Sequence, residues 1–210
     1  MKKQNRNFEL KLPEEIFRPH EMSLIIGGEK SGKSDFAEQA AFQLAQSMNQ
    51  PLLYLATLYI GDDLENQERV RKHREQRSAY GFSNHEIYFD FKDQIVNLPS
   101  GHIILLDCLT NLLTNRLYRP VGDEWETSED SDELIIDELL LALESLASTS
   151  SHLFIVANDL HRNLPVQSPE MQRFLRLHGK LLQAIAKRPG SNLFELNFGQ
   201  ADLIKASFSG

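Results

Sequence analysis

Short apolar runs alternating with amphipathic helical stretches predict an α/β fold, a doubly wound and mainly parallel sheet flanked by helices. Two observations carry this reading. Runs of the kind that fill strands buried on both faces recur along the chain, at Ser23–Ile26, Leu52–Ala56, Ile103–Leu106 and Leu153–Val156. The first run leads directly into Gly27-Gly28-Glu29-Lys30-Ser31-Gly32-Lys33-Ser34, which fits the pattern G-x-x-x-x-G-K-[ST], and helical periodicity follows. With that loop the sheet is expected to be P-loop NTPase-like, with room for an antiparallel edge strand at its closing end.

The loop has the residue types that phosphate binding needs. Gly27, Gly28 and Gly32 let the backbone turn tightly, so that N–H groups from Gly28, Glu29, Lys30, Ser31 and Gly32 converge on phosphate oxygens. The helix that follows adds the partial positive charge of its N-terminus. Lys33 is expected to reach the terminal phosphates and Ser34 to ligate Mg²⁺. A flexible Gly-Ser turn would account for the glycines but not for the Lys-Ser ending.

Residues 1–21 are polar, mixed in charge and interrupted by Pro13 and Pro19. They read as an extension lying over the surface or loosely ordered, ahead of one domain over residues 22–210. From Ser34 to Met48 the residues Phe36, Ala37, Ala40, Ala41, Leu44, Ala45 and Met48 recur at helical spacing, and Asn49-Gln50-Pro51 ends that helix. Leu52–Ala56 is a second buried strand. Asp62–Ser78 is polar and helix-forming, and from Arg69 to Arg77 it holds five Arg or Lys, one His and one Glu. Arg69, His73 and Arg77 are four apart and share a helix face, with Arg74 beside His73. A charge run of this kind is, by itself, more often a solvated face than a site. Residues 86–91 alternate, with Ile87, Phe89 and Phe91 against Tyr88 and Asp90, and predict a strand.

Ile103–Leu106 ends in Asp107, the form of a strand that delivers a carboxylate to magnesium beside Ser34; a strand-end Asp also serves as a helix cap. Leu109–Leu117 is a short apolar helix. Asp123–Glu138 carries nine acidic residues and no basic one, without the spacing of a metal-binding loop. Its first half reads as a solvated loop, and helical spacing returns from Leu134 to Leu146. His152–Ala157 is a further buried strand that delivers Asn158 to the carboxyl edge. Ligands of open α/β sheets bind at that edge, so Asn158 is a candidate for the nucleotide site as well as an ordinary turn residue. Ser168 caps a helix from Pro169 to about Lys187, Pro189-Gly190 stops it, and Leu193–Leu196 and Leu203–Ala206 supply closing strands.

Composition limits the partners. A net charge of −8 argues against a general nucleic-acid surface and makes any phosphate site a local positive island. The single cysteine, Cys108, has no partner for an internal disulfide, as suits a reducing cytosol. No apolar run approaches the ~20 residues of a membrane helix. Polar residues follow Met1-Lys2-Lys3 where a signal peptide would have its apolar core. A cytoplasmic protein is expected, with no nucleic-acid partner and no membrane span.

Four blocks, in order, resemble the bifunctional adenosylcobinamide kinase / adenosylcobinamide-phosphate guanylyltransferase family of cobalamin biosynthesis. The phosphate loop is similar to that family's G-G-x-R-S-G-K-S. Tyr54-Leu55-Ala56-Thr57 with the stretch Arg69 to Arg77 is similar to its Y-I-A-T and R-I-x-x-H-R-x-x-R, and Asp107-Cys108-Leu109-Thr110 with Asn115 to its D-C-L-T and later Asn. The fourth block runs from Val156-Ala157-Asn158-Asp159 to Arg173-Phe174, Gly179 and Gln183.

The resemblance implies that His73 is a covalent guanylyl carrier, with Arg69, Arg74 and Arg77 neutralising a triphosphate while the imidazole attacks its α-phosphorus. Glu65, where the family has a Glu before the histidine helix, is implied to assist with nucleotide or metal. Two stages follow from it. ATP or GTP, held by Lys33, Ser34 and Mg²⁺, phosphorylates adenosylcobinamide; His73 then takes GMP from GTP and passes it to the phosphorylated corrinoid, giving adenosylcobinamide-GDP. A homotrimer is also implied. The chain departs from the family pattern over residues 158–165, which lack both loop glycines, at Leu175, Arg176 and Leu182 in the last helix, and at Ser78. These changes bear on corrinoid fit or subunit contacts. Apart from the resemblance, the residues also suit a different P-loop small-molecule kinase, or a nucleotide-binding regulatory protein without turnover.

Overall fold

The computed structural model describes residues 16–61, 64–122, 124–160 and 168–206, with residues 64–66, 69, 72, 73 and 76 described by backbone alone. The chain runs β1 (Met22–Gly27), α1 (Lys33–Met48), β2 (Leu52–Ala56), α2 (Leu64–Ser78), β3 (Ser83–Glu86), α3 (Phe91–Ile95), β4 (Ile103–Asp107) and α4 (Leu109–Leu117). A hairpin, β5 (Tyr118–Val121) and β6 (Glu124–Thr127), precedes α5 (Asp132–Thr149), β7 (His152–Asn158), α6 (Pro169–Lys187), β8 (Ser191–Asn197) and β9 (Gln200–Lys205). Seven strands form one sheet in the order β3-β2-β4-β7-β1-β8-β9. Every pairing in it is parallel except the last, where β9 returns antiparallel to β8. This is the predicted doubly wound sheet with an antiparallel edge strand.

Because successive side chains of a strand point to opposite faces, each apolar run feeds two cores. Leu24, Leu53, Leu55, Ile104, Leu106 and Ile155 face α4, α5 and α6, meeting Leu113, Leu139, Leu143, Leu177 and Leu181. Ile25, Tyr54, Leu105, Phe154, Val156 and Phe194 face α1, whose Phe36, Ala37, Ala40, Ala41 and Leu44 lie on its inner side. Alanines at three of those positions bring α1 close to the sheet, and Phe36, fully buried, contributes on the order of 2–3 kcal/mol. The helix starts are fixed locally: the hydroxyls of Ser131 and Ser168 accept N–H bonds from Leu134 and Met171, both at 3.2 Å.

Three elements differ from the sequence expectation. The strand expected at 86–91 lies upstream, at Ser83–Glu86, where a polar tetrapeptide pairs with Leu53–Ala56 as the sheet edge. The alternating apolar residues after it instead anchor a connection and the short α3, with Ile87 and Phe91 buried. Part of the acidic stretch expected as loop is the strand β6, paired with β5. Packing also begins before Met22. Ile16 and Phe17 are buried, Phe17 against the rings of His152, Phe154 and Phe194, and Asn192 donates to the Ile16 carbonyl at 2.9 Å.

Candidate functional site

The parallel strands end along one edge, and that edge carries the predicted site. Gly27 closes β1 in register with Asn158 of β7, and Asp107 closes β4, with β7 between the two. After Gly27 the chain wraps through Lys30 and Gly32, both with positive φ (59° and 91°), into α1. Gly27 has no room for a side chain, since a Cβ there would stand 2.5 Å from Ser31 Oγ and 2.8 Å from the carbonyl oxygen of Leu196. Ser31 N–H donates to the Gly28 carbonyl at 3.2 Å, and Lys33 folds back so that its Nζ donates to the same oxygen at 3.1 Å. The loop thus holds its lysine over its own backbone at the start of a 16-residue helix, whose N-terminus carries partial positive charge.

Asp107 sits in a network that no single stretch of sequence announces. Tyr54, on the neighbouring β2, donates its hydroxyl to Asp107 Oδ2 at 2.7 Å. The Arg77 guanidinium lies over the Tyr54 ring, 3.7 Å from its centroid, and 3.7 Å from Glu38 of α1. Burial pushes the Glu38 carboxyl up to about 7 against the opposing pull of Arg77, with Asp107 and Asp35 adding to the rise. Burial, and then the charge of Asp107, also raise the Tyr54 phenol well above its ordinary range.

Arg77 therefore differs from its expected place on an open basic face. It is 5% exposed and turned onto β2 and α1 rather than sharing an open basic face with its neighbours. The physical reason is the aromatic surface of Tyr54, which takes a guanidinium from α2 into the protein. Arg74 stays half-exposed and pairs with Glu86 at the end of β3. Arg71 pairs with Glu68 and Glu75 along the solvent side of the helix. Glu65, Arg69 and His73 lie on the backbone of α2, and their side chains are outside the described residues.

A second set of bonds fixes the edge around Asp107. The Asp107–Cys108 peptide is cis. The Thr57 hydroxyl donates to the Cys108 carbonyl at 2.8 Å and accepts the Cys108 N–H at 2.7 Å, while Asn115 donates to the Thr57 carbonyl at 2.7 Å. Burial pushes the Cys108 thiol up to about 12, so it is no nucleophile at neutral pH. Asn158 is positioned by its own backbone N–H, which donates to the Thr110 hydroxyl at 3.0 Å, and that hydroxyl in turn meets His178 Nε2 at 3.2 Å. Leu160 and Asp159 are the last described residues of this stretch, and the departures at 161–165 lie outside the described residues.

Beyond β2 the edge is aromatic. Tyr59 lies 5.1–5.9 Å from the rings of Tyr88, Phe89 and Trp125, the last on the hairpin strand β6. Under the hairpin a cavity of about 390 Å³ is lined by residues that include Phe89, Lys92, Asn115, Arg116, Arg119 and Glu138. The size is that of a small-molecule pocket. Its arginines are already engaged, Arg116 with Glu138 and Asp130 and Arg119 with Asp90.

The donors present suit magnesium. Among the described residues no group of three or more His, Cys, Asp or Glu is placed to cage a metal. What the edge offers is the Ser34 hydroxyl and the Asp107 carboxylate, oxygen ligands of the kind Mg²⁺ takes together with phosphates and water. Sequence reasoning missed Glu38. The available signal was its spacing, one helical turn after Ser34 on the same face of α1.

No helix among the described residues is long and apolar enough to cross a membrane. The chain is 26% identical over 171 residues to the bifunctional adenosylcobalamin biosynthesis protein CobU of Escherichia coli K12, covering 79% of this chain and 90% of that protein. It is 29% identical over 165 residues to the bifunctional adenosylcobalamin biosynthesis protein CobP of Pseudomonas aeruginosa, covering 79% and 87%. Among solved structures, the flagellar accessory protein FlaH of Methanocaldococcus jannaschii aligns with a TM-score of 0.48 at 14% identity, over 90% of this chain and 80% of that one. The model of the cobinamide kinase / cobinamide phosphate guanyltransferase family matches residues 23–196, so that β2 to β7, the loop Gly27–Ser34, α2 and Asp107 fall within the match, and the chain belongs to that family of transferases.

Proposed function

We propose that this chain is a bifunctional adenosylcobinamide kinase and adenosylcobinamide-phosphate guanylyltransferase working through a guanylyl-histidine. The observation that carries the reading is the phosphate loop Gly27–Ser34, built at the same sheet edge as Asp107 and Asn158 in a chain whose family match also spans the His73 helix. In the kinase stage the loop N–H groups and Lys33 hold the phosphates of ATP or GTP. Ser34 and Asp107 are the ligands for Mg²⁺, which when bound neutralises phosphate charge. The acceptor hydroxyl attacks the γ-phosphorus and the nucleoside diphosphate leaves, a transfer in which positioning and charge neutralisation dominate. Asn158 lies where it would meet the nucleotide at the loop.

In the second stage a ring nitrogen of His73 attacks the α-phosphorus of GTP, forming a P–N bond as the P–O bond to pyrophosphate breaks. An ordinary imidazole, with a pKa of about 6.5, is largely neutral and nucleophilic at pH 7. A phosphate oxygen of the phosphorylated corrinoid then attacks the same phosphorus and returns the histidine. Arg69 and Arg74, with Glu65, serve the triphosphate from α2, while Arg77 braces the Tyr54 and Glu38 wall. Assembly as a homotrimer belongs to the same reading.

Incubation with GTP labelled at the α-phosphate tests the covalent step. The expected result is a protein-bound label stable to alkali, labile to acid and lost in His73→Ala. Equal labelling of wild type and His73→Ala overturns the carrier assignment. Cobinamide phosphorylation lost in Lys33→Ala but kept in His73→Ala supports the kinase half. A phosphorylated product with no protein label points to a plain P-loop kinase, and nucleotide binding with no turnover of either kind to a regulatory protein.

A further inference from the structure

The turn joining β8 to β9 consists of Phe198 and Gly199, both with positive φ (50° and 81°). A two-residue hairpin turn with that pairing is type I′, which favours Asn-Gly because L side chains are strained in the left-handed region. Here the first position is a phenylalanine, and it is 99% exposed. Strain and exposed apolar area are both unfavourable, and no packing among the described residues offsets them; strained residues of this kind cluster at ligand sites.

The turn is fastened to the phosphate loop. Gly199 N–H donates to the Ser31 carbonyl at 3.0 Å, and the Leu196 carbonyl closes on Gly27 so tightly that a Cβ there would come within 2.8 Å of it. Phe198 thus rides on the rim of the loop. The strand order fixes which rim. Asp107 and Asn158 end β4 and β7 on one side of β1, and β8 and β9 lie on the other. With Lys33, Ser34 and Asp107 read as the holders of the terminal phosphates, the opposite rim, at the β8–β9 turn, is left for the nucleoside end.

We propose that Phe198 is the platform on which the base of the loop-bound nucleoside triphosphate stacks. The inference rests on the reading of Gly27–Ser34 as a phosphate site and adds the recognition of the base. Stacking on an aromatic face tolerates any base, so one platform serves ATP and GTP alike.

Calorimetric titration with Mg²⁺ and the β,γ-imido analogues of ATP and GTP, set beside inorganic tripolyphosphate, separates the two claims. Phe198→Ala is expected to weaken both nucleotide analogues roughly tenfold while tripolyphosphate affinity stays within about twofold; Phe198→Trp retains nucleotide affinity. Lys33→Ala is expected to lose all three ligands. Unchanged nucleotide affinity in Phe198→Ala overturns the platform. So does an equal loss of tripolyphosphate, which would mean that the turn acts through Ser31 on the loop, or a loss that tracks a change of assembly state in sedimentation. A wild type that binds tripolyphosphate and nucleotide equally well refutes the platform and leaves the phosphate site standing. A wild type that binds neither removes the phosphate site and the platform with it.

Discussion

Tyr54 illustrates how one hydroxyl ties the carboxylate at the end of β4 to the core. Its ring is buried under the Arg77 guanidinium, and its O–H is spent on Asp107 Oδ2. Tyr54→Phe keeps the ring, the packing and the contact with Arg77, and removes only that donor. A hydrogen bond to a charged group contributes on the order of 1.5–3 kcal/mol, so a urea melt is expected to show a loss of about that size. If Asp107 serves the transferring phosphates, the kinase kcat falls several-fold while the KM for nucleotide changes little, because binding is held by the loop N–H groups and Lys33. An unaltered kcat in a variant that shows the stability loss would detach Asp107 from the chemistry.

At the scale of elements, β7 and the segment before β1 are joined by a histidine that has no part in catalysis. His152 is fully buried; its Nδ1–H donates to the Arg18 carbonyl at 2.9 Å and its Nε2 accepts from the Ser23 hydroxyl at 2.9 Å. Burial holds its pKa down to about 4. The unfolded imidazole, at about 6.5, binds a proton first as pH falls, so this group's contribution is complete above about pH 6.5 and is lost progressively toward pH 4. Between pH 7 and pH 5 the wild type is expected to lose about 2 kcal/mol through this residue. His152→Gln, less stable at pH 7, is expected to lack that part of the slope in parallel denaturant titrations. An identical slope in the variant would assign the pH dependence to other groups.

The same scale shows which elements could be read in advance. Strands buried on both faces announce themselves as apolar runs, and β1, β2, β4 and β7 lie where Leu24, Leu53, Ile104 and Leu153 put them. The edge strand Ser83–Glu86 is largely exposed and carries no such signal. The hairpin β5–β6 leaves Val121 and Trp125 exposed and has no buried apolar run to announce it. Within the acidic run, Asp130, Asp132 and Glu138 take Arg116, Arg173 and Arg176 from α4 and α6, partners far away in sequence. Arg176, one of the departures from the family pattern, is held by its ion pair with Asp132 of α5. In the candidate site, the loop and Asp107 were legible because each follows a single apolar run. Glu38 and the contacts that Tyr54 and Arg77 make were not, because α1, β2 and α2 bring them together only in three dimensions.

For the whole molecule, the topology puts the loop Gly27–Ser34 and the helix that carries His73 on different connections of the sheet. The phosphate loop leaves the interior strand β1 and is tied to both flanks, through Asp159 N–H to the Gly27 carbonyl at 2.9 Å and through Gly199 N–H to Ser31. The His73 helix instead connects β2 to β3 at the sheet's margin. A nucleotide held by the loop is thereby coupled to the strands on which global stability depends, whereas α2 is not needed for that coupling. At a concentration about 100-fold above Kd, the Mg²⁺ complex of a nonhydrolysable nucleotide is expected to stabilise the fold by about 2.7 kcal/mol, a rise in Tm of about 5–10 °C for a chain of this size. Lys33→Ala is expected to abolish the shift and His73→Ala to retain it, both measured by differential scanning calorimetry. Loss of the shift in His73→Ala would mean that the histidine helix closes over the loop-bound nucleotide. The kinase and guanylyl-transfer stages would then share one site instead of dividing the sheet edge between them.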